Sequence, residues 1–305
     1  MTQEKRQALL CPPRGVVDVV LDTDAFNEID DQFALSYLVR SPERAHTVAL
    51  YAAPFHNRLS TGPADGMEKS YAEILRLLDF MEIPEGQIPV YRGSKAYLPD
   101  ESTPVVSPAA EDLCRRAGSY SEDNPLYVVA IGAITNVASA LLLDPSIKDR
   151  IVVVWLGGHT HAWPSTREFN MMQDVAAARV VMGSGAPFVQ LPCMGTVSEF
   201  RLSKPEIEAF LLGKNPLADY LGRNTVRAAE SYAAGTCWTR VIWDVTAVAW
   251  LFNGEGRFLS YKTVPTLLPD YTHHYEKEAL PLEMSYVYEV KRDALMTDLV
   301  RTLTR

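Results

Sequence analysis

The sequence is short of cysteine, short of positive charge and free of any long apolar run. Its four cysteines, Cys11, Cys114, Cys193 and Cys237, stand far apart with no CxxC pair. Such spacing suits neither zinc nor a disulfide framework, and reads as thiols in a reducing compartment. Lys and Arg number 29 against 38 Asp and Glu, a formal charge of −9. That balance lacks the basic face needed to neutralise phosphates, so it argues against a nucleic-acid partner. No apolar stretch approaches the ~20 residues of a membrane span. The segment Met1 to Leu10 is polar and charged, unlike a secretory signal. The expectation is a cytoplasmic protein with no membrane partner. No repeat or low-complexity linker interrupts the chain, so residues 1–305 are read as one domain.

What the chain does contain is alternation. Val16 to Leu21 is nearly all β-branched with one polar interruption, Asp18, and predicts a strand buried on both faces. Ile29 to Val39 predicts a helix with Phe33, Ala34, Tyr37 and Leu38 on one side. Thr47 to Ala52 is a second strand, and Met67 to Leu78 a helix with Tyr71, Ile74, Leu75 and Leu78 at helical spacing. Leu126 to Ile131, Ile151 to Leu156 and Phe188 to Leu191 are further strands. Helices across Asn136 to Leu143 and Asp174 to Met182 separate them, and Tyr261 to Val290 suggests an edge hairpin. The alternation implies right-handed crossovers, giving an α/β fold: a single open, mostly parallel sheet with helices on both faces.

Open parallel sheets bind ligands outside the carboxyl ends of their strands. Four of the predicted strands end in polar or glycine-bearing segments. These are Asp22-Thr23-Asp24, Pro54-Phe55-His56-Asn57, Gly132-Ala133-Ile134-Thr135-Asn136 and Gly157-Gly158-His159. The first is followed closely by Asp30-Asp31. Two like charges about 4 Å apart repel by roughly 4 kcal/mol at an effective dielectric of 20. Crowded carboxylates therefore protonate or splay unless a cation neutralises them. All-oxygen ligation selects a hard ion, Ca2+ or Mg2+. Asp30-Asp31 taken alone also reads as a pair of first-turn helix acids. An EF-hand loop does not fit, because Phe26 and Asn27 occupy positions that need an acidic or amide residue and Gly. A haloacid-dehalogenase-type phosphatase does not fit either, because Leu156-Gly157-Gly158-His159 lacks the later acidic pair.

VVLDTDAFNEIDDQFAL resembles the N-terminal signature of the nucleoside hydrolases. Three later blocks are similar to that family in the family's order: AIGAITNVASAL, then VVVWLGG with REFNMMQDVAAA, then IWDVTAVAWL. The resemblance implies Ca2+-dependent hydrolysis of the N-glycosidic bond of a ribonucleoside or related N-riboside, in a homodimer or homotetramer. It assigns Asp24, Asp31, Asp244 and the Ile131 carbonyl to the metal, and Asp30 to the ribose 2′- and 3′-hydroxyls. Asn57, Glu168 and Asn170 would meet other sugar oxygens, with Asp22 behind Asp24 as an orienting residue. Asp24 would help to deprotonate the attacking water.

The chain departs from this pattern in three places. Ala25-Phe26-Asn27-Glu28-Ile29 is longer than the three-residue connection of many members, so Glu28 becomes an extra candidate ligand. Trp243 stands where many members carry a His suited to protonating the leaving base. GPADGMEKSYAEILRLL is distinct and points to a subfamily with its own substrate. His159 and His161 are candidates to replace the missing acid, and Trp163 and Trp243 to line a base pocket. For each a bland reading stands beside these: loop histidines in ordinary hydrogen bonds, tryptophans in packing. A non-catalytic riboside-binding protein is the alternative function, and a phosphohydrolase ranks third.

Overall fold

A computed structural model describes residues 1–305. Helix α1 (Gln3–Ala8) precedes strand β1 (Val17–Thr23), then α2 (Ile29–Val39), β2 (Ala45–Ala52), α3 (Pro63–Phe80) and β3 (Val90–Arg92). Next come α4 (Pro108–Ala117), β4 (Leu126–Ala130), α5 (Thr135–Leu143), β5 (Ile151–Leu156), α6 (Phe169–Gln173), α7 (Val175–Gly183) and β6 (Phe188–Leu191). The last third holds β7 (Arg201–Ser203), α8 (Lys204–Phe210), α9 (Pro216–Ala233), β8 (Thr239–Val241) and α10 (Val245–Leu251). It closes with β9 (Leu259–Pro265), β10 (Glu283–Val290) and α11 (Arg292–Leu303). No helix is long and apolar enough to cross a membrane.

Eight strands form one sheet in the order β3-β2-β1-β4-β5-β6-β10-β9, parallel except where β9 runs antiparallel to β10. The antiparallel pair is the edge hairpin expected between Tyr261 and Val290. Both faces of the central strands are buried, as their β-branched runs require. Val19 and Leu21 of β1 join a core with α2, α3, α9, α10 and α11, whereas Val20 joins a core with α4, α5 and α7. The order reverses between β1 and β4, because the chain first moves outward to β3 and then returns. That reversal opens a crevice at the carboxyl ends of β1 and β4, the place where such sheets bind ligands.

Helix α2 corrects one expectation. The pattern suggested a single apolar side, but all eleven of its residues are buried. Neighbouring α3, α9, α10 and α11 enclose it. Its polar residues are therefore inside the protein, and each needs a partner or a purpose.

Candidate active site

Strand β1 ends by delivering Asp22, Thr23 and Asp24 into a fully buried setting. Asn136, at the start of α5, donates through Nδ2 to Asp22 Oδ1 at 2.7 Å and to the Ala52 carbonyl at 3.3 Å. Its Oδ1 accepts from the Ser94 amide at 2.7 Å, so one amide ties three strand ends together. Burial pushes the Asp22 carboxyl up to about 7, with the Asn136 hydrogen bond opposing it. After Asp24 the chain turns, and the Asn27 amide donates to the Asp24 carbonyl at 2.7 Å. Glu28 caps α2 in an extended conformation, which places Asp30 and Asp31 in the first turn at the positive end of the helix dipole. Asp244 occupies the corresponding cap of α10.

Oxygens of Asp30, Asp31 and Asp244 converge within 4.8 Å of one another. Thr23 Oγ1 donates to Asp31 Oδ1 at 2.5 Å. Burial, then the neighbouring carboxylates, raise Asp24 and Asp244 well above the usual carboxylate range. Asp30 is raised by burial and by Glu28, against the pull of Arg240. Asp31 is raised by burial to about 7, opposed first by its Thr23 hydrogen bond. Both oxygens of Asp24, with Asp22 Oδ2, Asp30 Oδ1 and Asp244 Oδ1, are buried without a hydrogen-bond partner. Stranding so many polar atoms costs several kcal/mol each in a dry interior. A hard divalent cation suits the converging oxygens of Asp30, Asp31 and Asp244, so this donor set fits such an ion. Gly132 makes room here: a Cβ on it would stand 3.1 Å from the Asp24 carboxyl carbon and 3.1 Å from Ala53 Cβ.

Above this floor lies a cavity of about 280 Å³. Of the four expected strand-end segments, two reach its walls directly, through Asn57 and His159. Ile131 and Leu156, the residues just before the two glycine-bearing turns, also line it, whereas Asp22, Thr23, Asp24 and Gly132–Asn136 do not. Glu168 and Asn170 also face it. Glu168 is no surface partner of Arg167, since it is buried and caps α6. Its carboxylate accepts from the amides of Gly158 at 2.8 Å, Asn170 at 2.9 Å and Met171 at 3.0 Å. Burial raises its pKa, and these amides oppose the rise. Asn170 Nδ2 donates to the carbonyls of Ile131 at 3.1 Å and Leu156 at 3.0 Å, which leaves its Oδ1 for a ligand. Asn57 donates to Asn27 Oδ1 at 2.6 Å, so the longer loop also builds the wall. Glu28 lines the rim, but its carboxylate pairs with Arg240 at 3.0 Å.

The opposite wall is made of loops. His159 Nδ1 accepts from the Met194 amide at 3.3 Å, and burial lowers the imidazole pKa. Behind it, Tyr275 Oη donates to the His159 carbonyl at 2.8 Å. Gly158 has φ +75°, and a Cβ there would meet Tyr275 Oη at 2.6 Å, so this turn requires glycine. Trp243 is half-buried and lines the cavity. Trp163 does not line it: 40% exposed, it stands 5.7 Å from the His159 ring. His161 lies between Tyr275 and Tyr286, away from the cavity, and His56 is exposed. Trp155 and Trp250 are fully buried in the core. Sequence reasoning missed Arg167, Phe169, Cys193 and Met194 on the cavity walls and Arg240 behind Glu28. Arg167 and Phe169 flank Glu168 within the REFNMMQDVAAA block, and Cys193 and Met194 follow β6, a parallel strand whose end must reach this edge.

The family model described as inosine-uridine preferring nucleoside hydrolase matches residues 19–293. The chain belongs to that family. This nucleoside hydrolase is 28% identical over 263 residues to a non-specific ribonucleoside hydrolase of Salmonella newport, covering 78% of this chain and 79% of the relative. It is 25% identical over 226 residues to a probable uridine nucleosidase of Arabidopsis thaliana, covering 67% of each. Among solved structures, a purine-preferring ribonucleoside hydrolase from Gardnerella vaginalis shares the fold with a TM-score of 0.75 at 22% identity, covering 94% of this chain and 98% of that one. A plant nucleoside hydrolase gives 0.74 at 17%, covering 96% and 99%. The nucleoside hydrolase fold, the family's N-glycosyl hydrolase chemistry and an aspartate cluster able to hold a metal thus meet in one crevice.

Proposed function

We propose that the protein hydrolyses the N-glycosidic bond of a ribonucleoside or related N-riboside, releasing ribose and a free base, with Ca2+ as its ion. The observation carrying this reading is the set of buried, unpartnered carboxylate oxygens beneath a cavity of nucleoside size. Asp24, Asp31, Asp244 and the Ile131 carbonyl are assigned to the ion. When bound, it would lower the pKa of a water and balance the carboxylate charge. Asp24 accepts the proton of the attacking water. Asp30 accepts the ribose 2′- and 3′-hydroxyls, while Asn57, Glu168 and Asn170 orient the remaining sugar oxygens. Asp22, held by Asn136, fixes the end of β1 on which Asp24 stands. The surrounding carboxylates stabilise positive charge as it develops on the sugar.

The leaving base is assigned to the wall of Trp243 and His159. The Trp243 ring offers a stacking surface and no proton. Burial favours the neutral form of His159, and the Met194 amide occupies its Nδ1, so Nε2 is the nitrogen able to face the base. Incubation with a panel of purine and pyrimidine ribonucleosides and Ca2+ tests the assignment by released reducing sugar. Release abolished by Asp24→Ala is expected, and no release above that control would overturn it. Trp243 in place of a proton donor favours the second reading, a riboside-binding protein without turnover. Calorimetric binding of a ribonucleoside with no sugar released would select that reading.

A further inference from the structure

The connection Ala25–Ile29, which the family resemblance marks as long, contains Glu28, the cap residue of the helix carrying Asp30 and Asp31. Its carboxylate accepts from Arg240 Nη2 at 3.0 Å, and Arg240 Nη1 donates to Tyr232 Oη at 2.9 Å. Arg240 lies on β8, four residues before Asp244, and its side chain is only 17% exposed against 45% for Glu28. The pair therefore joins the two segments whose carboxylates converge within 4.8 Å, the start of α2 and the start of α10. Helices α2 and α10 pack on each other, but their carboxylates, once ionised, do not draw the two segments together. Like charges that close repel by roughly 4 kcal/mol at an effective dielectric of 20.

We propose that the Glu28–Arg240 ion pair is a positioning clamp, holding the Asp30-Asp31 and Asp244 segments at the separation that receives the cation and the riboside. The inference rests on the functional reading above for the choice of Ca2+ and of the riboside. As a pair the clamp is neutral, so it adds no net charge to the site. Its action runs through geometry, and that makes it separable from a simple field effect. Removing Glu28 takes away negative charge, whereas removing Arg240 takes away positive charge. A field effect alone moves cation affinity in opposite directions in the two variants. A clamp moves it in the same direction.

The experiment measures Ca2+ binding by calorimetry on the full chain for wild type, Glu28→Gln, Arg240→Ala and the double variant. Both single variants should bind Ca2+ about tenfold more weakly, and the double variant should be no weaker than either, because neighbours in one interaction are not additive. With a ribonucleoside that wild type cleaves, KM should rise about tenfold while kcat stays within about twofold. Opposite shifts in Ca2+ affinity, additive losses, or single variants within about twofold of wild type would each overturn the clamp. A fall in kcat at unchanged KM would overturn it as well. Should Arg240→Ala fold poorly, Arg240→Gln carries the discriminating arm, because it also removes the positive charge and the ion pair but keeps most of the half-buried side chain. A wild type that binds Ca2+ but cleaves no riboside would sink the functional reading, while the calorimetry would still decide the clamp.

Discussion

The floor and the rim of the cavity are built by different means. Floor residues Asp22 and Asp24 sit at the end of a central strand, and Asp30, Asp31 and Asp244 at helix starts, all buried. Rim residues His159, Arg167, Met194 and Trp243 lie in loops and are half-buried or exposed. A strand end locked by ladders on both sides fixes its side chains closely: the Ile131 amide donates to the Asp22 carbonyl and the Ala53 amide to the Thr23 carbonyl, each at 2.8 Å. A loop fixes them through single contacts such as the Met194 amide on His159. The difference separates chemistry common to every substrate from recognition of a particular one. Floor changes should abolish turnover of all ribosides, whereas rim changes should reorder them.

Asp31→Asn tests the floor most severely. The substitution keeps the acceptor for Thr23 Oγ1 and nearly the same shape, but removes one charge from the cluster. We expect kcat/KM to fall by about a thousandfold for every riboside tested, a loss of roughly 4 kcal/mol of transition-state stabilisation. The metal-free variant should melt at a higher temperature than wild type, because it relieves repulsion among buried acids. Steady-state kinetics paired with melting in chelator reads both. A loss confined to one base would break the distinction between floor and rim.

The next largest effect concerns pH. The folded-state pKa values of Asp22 and Asp31 lie at about 7 against an ordinary value of 3.8, and Asp24, Asp30 and Asp244 are raised in the same direction. A carboxyl whose folded pKa is raised stabilises the protein below its unfolded pKa and loses that contribution as pH climbs through the folded value. The metal-free protein should therefore melt at progressively lower temperature from about pH 5 to about pH 8. Protons and cation compete for the same oxygens, so Ca2+ should raise the melting temperature more at the upper end. At one hundred times its dissociation constant the ion contributes about 2.7 kcal/mol, or about 5 °C for a chain of this size. A melting temperature in chelator that is flat or rising across that window would contradict the buried-acid account.

The floor was legible in the sequence because its acids follow a β-branched run within a few residues, and a buried strand end leaves side chains few directions. Strand bounds at Ile151–Leu156 and Phe188–Leu191 and helix bounds at Ile29–Val39 agree with the structure for the same reason. Asp244 was reachable only through the family resemblance, since no local pattern connects it with residues more than two hundred positions earlier. Glu28 was open to reading as a metal ligand because its partner, Arg240, is equally distant. The enclosure of α2 was hidden because Asp30, Asp31, Gln32 and Ser36 look like a solvent face until four helices cover them. Cys193 and Met194 follow β6 without any motif, so only the sheet order brings them to the cavity.

The smallest effects belong to the two tryptophans of the rim, and they test whether lining the cavity is what matters. Trp243 lines it and packs on the core, whereas Trp163 is largely free and touches the site only through the His159 ring. Base stacking on an aromatic side chain contributes ~1–3 kcal/mol, so Trp243→Ala should lower kcat/KM by about tenfold. The loss should be larger for purine than for pyrimidine ribosides, because the larger ring system covers more of the indole. Trp163→Ala should change kcat/KM by less than about twofold for every base, as surface substitutions away from a site usually do. Parallel kinetics on one purine and one pyrimidine riboside measure both. Equal losses from the two variants would mean that the rim acts as one mobile unit, and the leaving-group wall would then extend past Trp243 to Trp163.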